Sequence, residues 1–167
     1  MIIVPIRFVL VSFLTLLLQS LPLQSQQPKE SAMTQQQAIG PFDVKITPLD
    51  PAFKFDENHY TRFSIDKQFH GDLEATGKGE MLAAGSPAKG AGGYVAIERV
   101  SGSLHGRTGT FVLQHNATMQ HGSYELNVIV VPESGTGQLV GLSGTMQIII
   151  APDGKHSYKF AYSLPDK

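Results

Sequence analysis

Between Gly93 and Gly144 short apolar runs alternate with glycines at nearly regular intervals, and this pattern constrains the fold more than any other feature of the chain. Runs of about four to eight residues, rich in β-branched and aromatic side chains and bounded by glycine, predict antiparallel strands; a helix would need apolar residues every three to four positions over a longer stretch. The same period of two extends in both directions. Phe42, Val44 and Ile46 alternate with Asp43 and Lys45 before Pro48 and Pro51 break the run. Phe63, Ile65 and Phe69 alternate within residues 62–70, a bend is expected at Gly71-Asp72, and a short strand around residues 80–84 follows Gly77-Lys78-Gly79. Further strands are expected at residues 93–100, 108–115, 124–131, 144–150 and 156–163, separated by Gly, Pro or Asp-Gly turns. Nothing after Leu18 has the periodicity of a three-turn helix. The expectation is an all-β domain, a closed antiparallel barrel of about eight strands, because closure removes the edges that an open sheet leaves exposed. A two-sheet sandwich fits the same spacing and is the alternative.

The first 25 residues set the expected compartment. Arg7 precedes the unbroken apolar run from Phe8 to Leu18, and a polar stretch ending Leu23-Gln24-Ser25 follows, the layout of a secretory signal peptide over residues 1–25. The protein is therefore expected to be exported, periplasmic or secreted, with no stable membrane span after cleavage; tethering through an uncleaved segment is the alternative. Residues 26–40, polar and glutamine-rich, read as a flexible spacer. Residues 41–167 form the expected single barrel domain, long enough to bury a core without staples.

Composition narrows the function classes. The chain has no cysteine, so no disulfide framework and no lipid-bearing N-terminal cysteine is available. Without Arg7 the chain carries 12 Lys and Arg against 14 Asp and Glu, a net charge of −2. Such a balance offers no basic stripe for nucleic acid, and no nucleic-acid partner is expected. No nucleophile elbow, zinc-ligand spacing or phosphate-loop lysine occurs. Six histidines are present, and His115 and His121 flank a hairpin tip, yet neither a His-x-His pair nor a His-rich tract occurs, so no metal is assigned. Ser134-Gly135-Thr136-Gly137 lacks the Lys-Ser/Thr ending and the helix of a phosphate cradle, and these glycines are expected to serve turns and barrel bends. No cofactor is implied.

Several ordered motifs resemble a known family. Tyr94-Val95-Ala96-Ile97-Glu98-Arg99, then Gly102 through His115, then Ser134 to Leu139 and Gly141-Leu142-Ser143-Gly144, closely resemble a bacterial family of small proteins of unknown function. Phe69 through Glu74 and His156 through Tyr162 fit the same pattern. The resemblance covers residues 42–165 and implies a calycin-like barrel similar to that of plant allene oxide cyclase, with a cavity. It implies no activity, and no catalytic residue is carried over.

Strand parity nominates a polar cluster inside such a barrel. Tyr94, Ala96, Glu98 and Val100 share one face against Val95, Ile97 and Arg99, and both faces carry a charge. Phe111, Leu113 and His115 form an apolar row that ends in an imidazole; His156, Tyr158, Phe160 and Tyr162 share a face of the last strand. Glu98, His115, His156, Tyr158, Tyr162 and Arg107 are the candidate pocket residues. In the functional reading, a carboxylate and an imidazole exchange protons with a ligand held between tyrosines. In the structural reading, which weighs more, Glu98 is paired across strands with an arginine such as Arg99 or Arg107, and His115 is a satisfied donor. Three functions follow: a barrel binding a small apolar or lipid-like molecule; a cofactor-free isomerase or cyclase acting on such a molecule; and a structural envelope protein with a filled barrel that forms homo-oligomers through its wall. Whether the protein is an enzyme is left open at this level.

Overall fold

The computed structural model describes residues 35–49, 59–86 and 90–165. The expected signal peptide and residues 26–34 of the expected spacer lie outside them. Eight strands follow one another: β1 (Gln35–Leu49), β2 (His59–Phe69), β3 (Leu73–Ser86), β4 (Ala91–Leu104), β5 (Arg107–Gln120), β6 (Ser123–Val130), β7 (Ser143–Ile150) and β8 (His156–Ser163). Each pairs antiparallel with its neighbours in the chain, and β1 pairs with β8, so the sheet closes into a barrel. The barrel, rather than the sandwich, is the architecture.

β1 serves two partners in succession. Gln35 to Phe42 lie against Ser163 to His156 of β8, and Phe42 to Leu49 lie against Phe69 to Arg62 of β2. The last residues of the stretch expected to be spacer are thus strand. Their side chains give little signal, since Ala38 points inward fully buried while Ile39 is largely exposed. Backbone pairing to β8 orders them instead. β3 likewise runs well beyond the expected residues 80–84. Gly77 and Gly79 interrupt the apolar alternation there, as glycine ordinarily weakens a strand.

One half of the interior is solid. Phe42, Phe69, Leu73, Leu104, Phe111, Leu139, Phe160 and Tyr162 are buried in one cluster, with Phe111 and Phe160 stacked at 5.8 Å and Phe160 and Tyr162 at 5.3 Å. Burial of each large side chain contributes about 1.5–3 kcal/mol, which makes this half the anchor of the fold. It lies toward the end where β2 turns into β3 and β4 into β5.

The seam between β6 and β7 is the weak link of closure: the two strands meet at one register pair, Ile129 opposite Thr145. Toward the solid end, residues 131–138 take over as the neighbour of β5. Val131 and Thr136 donate their N–H groups to the carbonyls of Val112 and Thr110, each at 2.8 Å. In return, Ser134 Oγ accepts from Val112 N–H (3.0 Å), Thr136 Oγ1 from Thr110 N–H (3.1 Å) and Gln138 Oε1 from Thr108 N–H (2.9 Å). Side chains two residues apart thus satisfy the strand-edge donors that a regular ladder would satisfy with carbonyls. Gly109 permits the close approach, since a Cβ there would overlap the Thr136 carbonyl; Gly135 lets the segment fold back on itself, since a Cβ there would overlap the Leu139 carbonyl. The Ser134–Gly137 segment is therefore a strand substitute, and of its two glycines Gly137, at φ 60°, has the backbone of a turn.

Candidate functional site

The alternation of β4 turns Glu98 inward and Val95, Ile97 and Arg99 outward. On β2 the same alternation turns Lys67 inward, and on β5 His115. β3 lies between β2 and β4, with Gly77 opposite Lys67 and Gly79 opposite Glu98. No side chain intervenes at that crossing, so Lys67 Nζ reaches Glu98 Oε2 at 2.7 Å. His115, one strand further round, brings Nε2 to 3.1 Å of the same oxygen.

All three groups are dry: Lys67 is 7% exposed, His115 3% and Glu98 0%. Burial alone would raise the Glu98 carboxyl pKa. His115 and the Lys67 ammonium outweigh it and hold the group below the usual glutamate range, so the acid is ionised. The Lys67 ammonium also sits 5.3 Å from the ring centre of Phe42 and 5.6 Å from that of Phe69, faces that favour a cation. Two polar atoms in the cluster have no hydrogen-bond partner: Glu98 Oε1 and His115 Nε2. Nε2 lies 3.1 Å from Oε2, close enough to favour the carboxylate, without the geometry of a well-formed hydrogen bond. Oε1 lies over Gly77, where a Cβ would overlap it.

Beyond this cluster the barrel is hollow. A cavity of about 370 Å³ is walled by Val44, Ile46, Ile65, Leu126 and Ile148, with Lys67 and His115 at its polar patch and His156 in its wall. Tyr94 and Tyr124 border it, their hydroxyls 3.2 Å apart, and also border an adjoining hollow of about 420 Å³ lined by Phe63, Ala83, Ala117 and Met119. Burial and then the bond to Tyr124 push the Tyr94 hydroxyl pKa well up, so it stays neutral. Leu126 and Ile148 belong to β6 and β7, so the weakly paired seam forms part of the cavity wall.

Of the residues nominated from sequence, Glu98 and His115 meet, and His156 lies in the wall of the same cavity with its ring 5.2 Å from that of Phe42. The others are engaged at the solid end. Tyr158 accepts from Leu73 N–H (2.9 Å) and donates to the His70 carbonyl (3.0 Å). Tyr162 donates to Gln36 Oε1 (2.8 Å) and lies 2.6 Å from His105 Nδ1. Arg107 donates to the carbonyls of Gln138 and Pro165. The partner of Glu98 is neither Arg99 nor Arg107 but Lys67, whose signal in the sequence was a charge at the inward position of the row Phe63, Ile65, Phe69. His121 sits in the β5–β6 turn at φ 49°, and no cluster of His, Asp and Glu suited to a metal occurs among the described residues.

The family model described as protein of unknown function, DUF3224, matches residues 38–162, which is most of the chain. The chain belongs to the DUF3224 family. The resemblance to a bacterial family of unknown function, read from its motifs, is borne out, and the match takes in nearly all of the barrel, from Ala38 to Tyr162. A solved DUF3224 protein of unknown function from Shewanella oneidensis MR-1 is 46% identical, covers 81% of this chain and 99% of its own, and superposes with a TM-score of 0.73. No curated protein matches.

Proposed function

We propose that this DUF3224 barrel is an exported carrier that binds a small apolar molecule in its hollow half. The carrying observation is the pairing of an apolar cavity of about 370 Å³ with a buried, incompletely satisfied polar cluster, Lys67–Glu98–His115, at one place in its wall. A barrel that needed stability alone would fill this half as it fills the other. Apolar hollows of this size with a few convergent polar groups are the usual form of a small-molecule site. Export is supported by the apolar run Phe8–Leu18 behind Arg7.

A second reading, a cofactor-free isomerase, is favoured by one observation: an imidazole, His115, lies at the cavity wall beside a buried carboxylate, the residue types that proton exchange with a ligand uses. Native mass spectrometry of the mature protein purified from its own envelope, followed by solvent extraction, tests the carrier. A reproducible stoichiometric small-molecule mass is expected. Protein mass alone, unchanged after reloading with envelope extract, would overturn the carrier reading. Conversion of a reloaded compound to an isomer would establish the enzyme.

A further inference from the structure

The chemistry of the cavity wall selects among apolar ligands. Five ionisable side chains line the cavity, Lys67, His115, His156, Tyr94 and Tyr124, and Glu98 lies just behind Lys67 and His115. The ammonium of Lys67 is already neutralised by Glu98 at 2.7 Å. The Lys67–Glu98 pair therefore adds no net charge to the polar patch. A ligand carboxylate placed there would face the Glu98 carboxylate with no second lysine or arginine among the described lining residues, and like charges brought close together disfavour each other.

Hydrogen-bonding capacity is in surplus, however. An ammonium has three N–H donors, and among the described residues Glu98 Oε2 is the one hydrogen-bond acceptor that Lys67 Nζ meets. His115 Nε2 is unpartnered and nearly fully buried beside the cavity. These groups ask for an uncharged oxygen.

We infer that the occupant is a neutral apolar molecule carrying a carbonyl group, with the carbonyl oxygen accepting from Lys67 Nζ beside His115 and the hydrocarbon body against Ile65, Leu126 and Ile148. This rests on the reading of the hollow as a binding site and adds the ligand's chemical class.

A matched set tests it: 4-phenylbutan-2-one, the nearly isosteric anion 3-phenylpropanoate, and butylbenzene, each competing with the neutral dye Nile red on the full mature protein at pH 7.5. The ketone is expected to displace the dye at a concentration at least fivefold below that of either other compound. Equal or tighter binding of the anion, or equal binding of butylbenzene, would overturn the assignment while leaving a binding cavity intact. If native mass spectrometry shows that neither the dye nor any of the three binds, the cavity reading falls and this one with it. In Lys67→Met/Glu98→Gln, which removes both charges together, the ketone's advantage over butylbenzene should shrink below twofold with butylbenzene unchanged. A preserved advantage in the folded variant would overturn the role of Lys67. The wild-type ranking decides the ligand class even if that variant does not fold.

Discussion

Lys67 on β2 and Glu98 on β4 are joined at 2.7 Å across an intervening strand, and they can be so because the strand between them presents Gly77 and Gly79 at the crossing. A buried ion pair of this kind is weak grounds for expecting stability, since desolvating both ions offsets much of their attraction. Its placement beside a hollow makes sense if the pair also serves a ligand.

Gly77→Ala should destabilise the barrel by about 1–3 kcal/mol, the usual cost of overpacking, because the new methyl would overlap Glu98 Oε1 and press on Phe69. In a Glu98→Ala background the same change should cost at least about 1 kcal/mol less, since the two sites share one volume. Urea denaturation of the four proteins checks this; additive effects would show that the glycine does not accommodate the carboxylate.

Lys67→Met should cost about 3–5 kcal/mol, because it leaves Glu98 charged and unpaired in a dry interior. Adding Glu98→Gln should recover a large part of the loss. Chemical denaturation midpoints would expose an error here if the double variant were less stable than the single one.

Acid should act through Glu98. Its carboxyl pKa in the fold is below the ordinary value, so its contribution is fully present above the unfolded pKa of about 4.3 and fades as pH falls through the folded value. Wild type should therefore lose stability on acidification below about pH 4.3 more steeply than Glu98→Gln. Melting temperatures from pH 7 to pH 3 measure the two slopes, and parallel curves would show that another group dominates.

Tyr158→Phe should cost about 1–3 kcal/mol by stranding Leu73 N–H and the His70 carbonyl, yet leave Nile red affinity per folded molecule unchanged. A selective loss of dye binding would return Tyr158 to the site.

Ser134→Ala removes the acceptor of Val112 N–H and should cost about 1–2 kcal/mol. Amide exchange at Val112 should quicken more than at Leu113. Unchanged exchange at Val112 would show that the 131–138 segment does not act as a strand for β5.

Much of the barrel was legible because a strand's side-chain period is local. Phe111, Leu113 and His115 repeat every two residues, and that repeat alone aims all three inward. Glycine and uncharged polar segments were harder to read. Gln35–Gly40 is ordered by backbone pairing to β8, which leaves little mark on side-chain hydrophobicity, and Gly77 and Gly79 broke the pattern of β3 while serving its packing. The site was half legible: Glu98 and His115 stood out as charged or ionisable residues on strand faces, but nothing local distinguishes their setting from that of Tyr158 and Tyr162, whose hydroxyls are tied to the His70 carbonyl and to Gln36.

The order of residues by itself settled that this chain makes eight antiparallel strands and which residues share a face, because alternation and turn glycines act over a few positions. Folding in three dimensions settled the rest. Closure through β1 and β8 defined inside and outside, the register of β2, β3 and β4 brought Lys67 to Glu98 over two glycines, and side-chain volumes filled one end of the barrel while leaving the other hollow. Each of these depends on distances between residues well separated in the chain, 31 positions for Lys67 and Glu98, and periodicity carries no measure of such distances.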